Sequence, residues 1–539
     1  MKRVSPFVWK TFCVALVCAL AIAALGQNPS PPTQTTDILQ YIDQTWKVLR
    51  RSNRTLPIAA VDPKFHPDPD GRWPVYIPRT EDVTKVEQEL KAEISDAGLK
   101  TISIRPLPVD INAIKEQGLL YLPKPYVVPG GRFNEMYGWD SFFIEVGLLR
   151  DHDLDHAKDM ADNFLYQVKN YGGKVLNANR TYYLNRSQPP FLTQMVLGVY
   201  NKTHDKKWLA DALPSIEQYY KLWATEPHLI AETGLARYWD FGEGPAPEVV
   251  SAEHDAAGRT HYDLVKAYFK THEIPDYDVS QYYDRKTDEL TNLFYKGDRS
   301  MRESGFDPSN RFGPFNIDII HYNPVCLNSL LYLMEMQTAD ILDALDRAGE
   351  ASTWRNRARE RRERINKLMW DEKDGLYLDY DFATKTRRHY PFLTTFYPLW
   401  AGVASKEQAA RVEKNLALFE RNGGLQTSTH VSGNQWDSPF GWAPLQMIVV
   451  EGLRKYGYKD DAERISMKWL TLIHSDFLRR GFIVEKYDVV NSSSNVESQI
   501  HYGYSANQAG FGWSNAVFTQ LFDELSKDDQ TKLLGKPAS

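Results

Sequence analysis

Apolar residues recur at helical spacing along most of this chain, and that period narrows the possible folds more than any other feature. Ile38, Tyr41, Ile42, Trp46 and Leu49 fall on one face of a helix behind Thr35, Thr36 and Asp37, each suited to cap a first turn. The same period returns from Trp208 to Trp223, from Leu327 to Leu345, and through Trp354, Ala358, Ile365, Leu368 and Met369, with Gly or Pro between segments. One stretch departs from it. Asp374-Gly375 is a turn dipeptide, and Leu376-Tyr377-Leu378-Asp379-Tyr380 alternates as a strand does, which predicts a small β-hairpin. Many helices with short connections and polar insertions fit a helical barrel or a solenoid, and no repeat of fixed period selects the solenoid.

The N-terminus follows a different logic. Lys2, Arg3 and Lys10 accompany an apolar run from Phe12 to Leu25, which closes at Ala24-Leu25-Gly26 before Gln27. This is the layout of a secretory signal peptide. The run is shorter than the roughly 20 apolar residues of a membrane span, and Pro29, Pro31 and Pro32 follow it instead of a second hydrophobic segment. The expected organisation is a signal peptide over 1–26, a Pro-rich linker over 27–36 and one catalytic domain over 37–539. Removal of the signal takes Cys13 and Cys18 with it. Cys326 alone remains, which leaves no internal disulfide. The expected product is an exported monomer, periplasmic or secreted, without a stable membrane anchor.

Composition then narrows the ligand. Fourteen Trp, thirty Tyr and twenty-four Phe are more than packing needs, and flat aromatic faces suit sugar rings or nucleic-acid bases. A net charge of −6 argues against a phosphate backbone, which needs clustered Lys and Arg. A neutral sugar or polyol is favoured. The basic run Arg355 to Arg364 is interrupted by Glu360 and Glu363 and reads as a solvated helix face. Trp-Asp at 139, 239, 370 and 436 is spaced too irregularly for a propeller. Asp68-Pro69-Asp70-Gly71 starts like a calcium loop, but its glycine is misplaced and no glutamate closes it; it is read as a turn, and no metal or cofactor is expected.

Breaking a glycosidic bond takes an acid that protonates the leaving oxygen and a second carboxylate acting from the other face of the ring. Five segments set charged or amide groups beside Gly, Pro or aromatics: Pro129 to Asp140, Asn177 to Gln188, Glu303 to Asp307, Gln435 to Pro444, and Val484 to Asp488. In the first, paired glycines permit a tight backbone that brings Arg132 forward, while Trp139 offers a stacking face and Asp140 accepts from hydroxyls. A structural turn around a buried Trp explains this segment nearly as well, and Gln435, Trp436 and Asp437 equally suit a polar cluster packed on Trp442. Spacing alone does not make a glycosidase.

The segment Pro129-Gly-Gly-Arg-Phe-Asn-Glu-Met-Tyr-Gly-Trp-Asp140 resembles one signature of glycoside hydrolase family 37, the trehalases, and Gln435-Trp-Asp-Ser-Pro-Phe-Gly-Trp-Ala-Pro444 resembles the other. The similarity extends over nearly the whole mature chain. It implies an all-α fold, an (α/α)6 barrel with long loops, and cofactor-free, inverting hydrolysis of α,α-trehalose to two glucoses. The family's general acid lies in a Ser-Gly-Trp-Asp segment that here reads Ser304-Gly305-Phe306-Asp307, which implies Asp307 as acid. Its base lies in Glu-Lys-Tyr-Asp, matched by Glu485 to Asp488, which implies Glu485 as base. Glucose-binding roles carry over to Arg132, Phe133, Trp139, Asp140, Asn177, Arg186, Ser187, Gln188, Glu248 and Gly305.

Three positions depart from the family pattern. Ala246-Pro247-Glu248 stands where the family has Arg-Pro-Glu, losing a guanidinium. A Gly-rich lid ending in Gly-Glu-Tyr gives way to Ser492 to Ser494 and a stretch around Tyr504, so the lid glutamate has no clear counterpart. Phe306 replaces a Trp and is expected to keep an aromatic wall. By the resemblance, the first two changes fall on segments that close over the leaving sugar, which implies that recognition of that sugar is more affected than the chemistry. Rival readings are an inverting α-glucosidase for another glucose disaccharide or a substituted trehalose, an exported sugar-binding protein without turnover, and a scaffold protein. Asp307 and Glu485 argue against the second, and the lack of a basic patch or repeats against the third.

Overall fold

A computed structural model describes residues 37–252, 258–274, 277–504 and 506–535. The expected signal peptide (1–26) and Pro-rich linker (27–36) lie outside the described residues. The period of the sequence becomes helices with the expected bounds to within a few residues. Helix α1 spans Ile38–Leu49 and starts where the Asp37 side chain accepts the Leu39 N–H. The other main helices are α2 Gly138–Arg150, α3 Leu154–Asn170, α4 Leu192–Thr203, α5 Lys206–Trp223, α6 Asn292–Glu303, α7 Val325–Ala344, α8 Ala348–Leu368, α9 Tyr397–Ala401, α10 Lys406–Lys414, α11 Ala443–Lys455, α12 Lys459–Arg480 and α13 Gly512–Asp523.

Two kinds of helix differ in how they bury their surface. Every residue from Gly512 to Phe522 in α13 is buried, as is every residue from Ala443 to Val450 in α11. A helix buried all round belongs inside the structure. By contrast α5 buries Leu209, Ala212, Leu213, Ile216, Tyr219, Tyr220 and Trp223, a single stripe, and so lies outside. Contacts follow this division. Helix α2 packs on α4, α4 on α7, α7 on α9, α9 on α11, α11 on α13, and α13 back on α2. Behind them, α3 and α5 back α4, α8 backs α7, α12 backs α11 and α13, and α1 backs α13. Among the described residues no helix is long and apolar enough to cross a membrane.

Strands are more numerous than the sequence suggested. The Asp374-Gly375 hairpin forms, with Trp370 opposite Tyr377 and Asp371 opposite Leu376, but it ends at Tyr377, and Tyr380–Asp381 pairs elsewhere. A three-stranded parallel sheet went unread: β1 (Trp73–Ile77) lies between β2 (Ile102–Pro106) and β3 (Leu119–Leu120). It has its own core of Leu56, Val75, Ile77, Leu90, Ile102 and Tyr121. The fold is therefore mostly helical rather than purely so. Asp68 to Gly71 forms the expected turn, closed by Gly71 N–H to Asp68 O at 2.8 Å, and its carboxylates are engaged by Arg72 and Arg105. The basic face of α8 is solvated at Arg355 and Arg364, but Arg361 is buried and pairs with Glu335 at 2.8 Å, because α7 packs along that side.

Candidate active site

The five segments picked out in the sequence converge on one cavity of about 190 Å³. Helix α2 brings Trp139 and Asp140 in its first turn. The loop between α3 and α4 folds back beside it: Gly138 N–H bonds Asn177 O at 3.0 Å and Trp139 N–H bonds Gln188 Oε1 at 2.9 Å. At the end of α6 the chain turns through Gly305, whose φ is +76° and whose missing Cβ would sit 2.9 Å from the Trp139 ring. Only glycine meets both conditions. That turn delivers Asp307 to the cavity wall. Strand β4 (Phe440–Trp442) pairs antiparallel with β5 (Lys486–Asp488), and Glu485, the residue before β5, also lines the cavity.

Asp307 and Glu485 both line the cavity, as do Arg132, Phe133, Trp139, Asp140, Asn177, Arg186, Gln188, Glu248 and Gly305. Ser187 does not. Its hydroxyl donates to Val175 O at 2.7 Å and meets Tyr219, and its N–H bonds Glu303, so it braces the loop beneath the site. Phe306 is likewise not a wall. It is buried below Trp139 and Trp436, at 5.5 and 5.1 Å between ring centres, and supports them from behind.

Gln435, Trp436 and Asp437 divide into two roles. Asp437 is a satisfied buried carboxylate, accepting from Asn310 N–H, Tyr390, Ser428 and Ser432. Trp436 stacks on Trp442 at 3.9 Å between ring centres and lines the cavity. Gln435 joins the two halves of the site: its amide donates to Asp307 O, and its Oε1 accepts from Lys486 Nζ at 3.1 Å.

Electrostatics separate the carboxyls. Burial raises Asp307 to about 6, and the nearby Arg302 and Arg186 guanidiniums offset part of that rise. Arg302, held by Asp298 at 3.1 Å, stands 3.8 Å from Asp307. Burial also pushes Asp140 well above the usual carboxylate range, with repulsion from Glu485 and Asp307 adding to it. Arg186 is fixed by two buried carboxylates, Nε to Asp240 at 2.8 Å and Nη1 to Glu248 at 2.7 Å.

Four buried atoms on residues lining the cavity have no hydrogen-bond partner: Arg186 Nη2, Glu248 Oε2, His261 Nε2 and Glu485 Oε2. Buried polar atoms are rarely left unpaired in folded proteins. A mixed set of donors and acceptors around one cavity suits a ligand rich in hydroxyls.

Arg302, His261, Gln435, Lys486 and Tyr504 were not assigned roles from the sequence. For Arg302 a faint signal existed, since Asp298 and Arg302 are four apart on one helix face. For His261 there was none, because a distant segment supplies it. The lost guanidinium at Ala246 looks different in three dimensions. Ala246 is fully buried, its N–H bonded to Tyr262, so its side chain packs in a cluster with Val249 and Tyr262, while Arg302 supplies a guanidinium to the wall. Among the described residues no group of three or more His, Cys, Asp or Glu is arranged to hold a metal ion.

Comparison with known proteins agrees with this geometry. The family model described as Trehalase matches residues 40–526. The cytosolic neutral trehalase of Emericella nidulans is 34% identical, covering 90% of this chain and 72% of its own length. That of Neurospora crassa is 35% identical, covering 91% and 73%. Among solved structures, neutral trehalase Nth1 from Saccharomyces cerevisiae matches with a TM-score of 0.76 at 33% identity, covering 92% of this chain and 95% of that one.

Proposed function

The chain belongs to the trehalase family, and from that premise we propose that it hydrolyses α,α-trehalose with inversion, Asp307 serving as general acid and Glu485 as general base. The observation that carries this reading is the single cavity in which these two carboxyls stand among unpaired buried donors and acceptors. Asp307, raised to about 6, keeps a proton at mildly acid pH and gives it to the glycosidic oxygen as the bond from that oxygen to C1 breaks. A water attacks C1 from the opposite face and passes its proton to Glu485. The two groups then exchange protons with solvent to reset. Arg186 Nη2 and Glu248 Oε2 are suited to grip sugar hydroxyls, and Trp139 to pack on a ring face.

Inversion at the attacked carbon yields one β-glucose, while the leaving sugar keeps its α configuration. Proton NMR of the first products should therefore give α- and β-glucose in equal amounts, and kcat/KM should fall as pH rises through about 6, where Asp307 loses its proton. Formation of α-glucose alone, or no glucose from trehalose or any other glucose disaccharide, overturns the reading.

The closed circuit of six inner helices, backed by outer ones, supports reading the fold as an (α/α)6 barrel. Export is also part of the proposal, resting on the charged and then apolar residues 2–25. The relatives from Emericella nidulans and Neurospora crassa are cytosolic by name. N-terminal sequencing of the protein recovered outside the cytosol should begin near Gln27; an intact chain confined to the cytosol would remove this part.

A further inference from the structure

We propose that Tyr504 is a positioning residue for the base, holding one oxygen of Glu485 so that the other is presented to the attacking water; this rests on the assignment of Glu485 as base. The Tyr504 hydroxyl donates to Glu485 Oε1. Glu485 Oε2 is buried and has no hydrogen-bond partner. A carboxylate on a cavity wall with one oxygen tied by a hydroxyl and the other without a hydrogen-bond partner is oriented for proton transfer at a single oxygen.

Tyr504 is itself held on several sides. Gly503, at φ +101°, turns the chain beneath it, and a Cβ there would lie 2.8 Å from Gln435 Cδ and 3.0 Å from Pro308 Cδ. The backbone therefore passes against the residue following Asp307 and against the amide that joins the two halves of the site. Lys486 Nζ donates to Tyr504 O at 3.1 Å and lies 3.9 Å from the centre of its ring, while the Arg132 guanidinium stands 5.1 Å from that centre. Two cations on an electron-rich ring fix its orientation. This segment occupies the place where the sequence lacks a counterpart to the family's lid glutamate, so the contact is a property of this chain's own residues.

The charged and titratable groups around Glu485 are Lys486, 3.6 Å from Oε2, Asp140, and Tyr504 itself. Tyr504→Phe keeps the ring between Arg132 and Lys486 and removes only the hydroxyl. A carboxylate that loses a donated hydrogen bond takes up a proton more readily. In Tyr504→Phe the acidic limb of the kcat/KM profile on trehalose should move to higher pH by about half a unit to one unit, with kcat falling about tenfold, the scale of one hydrogen bond to a charged group. A residue that merely packs would not move that limb, so an acidic limb unchanged from the parent enzyme overturns the proposal, whatever happens to kcat. Glu485→Gln is measured alongside. If it retains turnover, the assignment of the base fails and the proposal with it; if it is inactive while Tyr504→Phe keeps the parental limb, the proposal alone fails.

Discussion

Asp307→Asn is expected to slow trehalose hydrolysis by about a hundred- to ten-thousand-fold while largely sparing hydrolysis of α-D-glucosyl fluoride. The two substrates differ only in what leaves. The glycosidic oxygen of trehalose departs as a strongly basic alkoxide unless it is protonated, whereas fluoride leaves without a proton. An acid is needed for the first and dispensable for the second. Glu485→Gln should abolish both reactions, because water must be deprotonated whichever group departs. Both substitutions keep side-chain size. An Asp307→Asn variant that loses both substrates equally would remove Asp307 from the role of acid.

Arg186→Met should destabilise the protein by about 3–5 kcal/mol, the usual consequence of stripping the partner from buried carboxylates. Arg186 is nearly inaccessible to solvent, and it bonds both Asp240, which is fully buried, and Glu248. Arg299 remains 3.1 Å from Asp240 in the variant, but no other ion pair to Glu248 exists among the described residues. Chemical unfolding should report the loss as a lowered midpoint, and any surviving activity should carry a raised KM, since the Nη2 donor facing the cavity goes too. Lysine cannot replace this residue, because it offers one charged point where two carboxylates need a planar fork. An unchanged unfolding midpoint would overturn the account of Arg186 as the clamp between the loop after α3 and the segment around Glu248.

The helices were legible because each needs only a local signal, an apolar stripe and a cap: of the three candidates Thr35, Thr36 and Asp37, it is Asp37 that caps α1. The sheet of β1, β2 and β3 was not. Trp73–Ile77 is short and contains a proline, and its residues pair with others 29 and 44 positions further on, so pairing rather than local pattern determines it. The same limit applied at the site. Eleven of the twelve residues named in advance line the cavity; four of the eleven lie in the first signature and the others in short segments matched to the family one by one. Ser187 is the exception: its neighbours Arg186 and Gln188 line the cavity, while its own hydroxyl bonds Val175 and Tyr219.

By itself the sequence determined a mostly helical protein and the segments that line its cavity, since periodicity and contiguous motifs are written along the chain. Tertiary structure alone decided what those residues do to one another. Burial raises Asp307 against the opposing pull of Arg302, Gln435 ties the Asp307 backbone to Lys486, and a tyrosine 19 residues beyond Glu485 holds its carboxylate. Such effects depend on dielectric surroundings and contact across distances of a few ångströms, and residues that meet there can be more than a hundred positions apart.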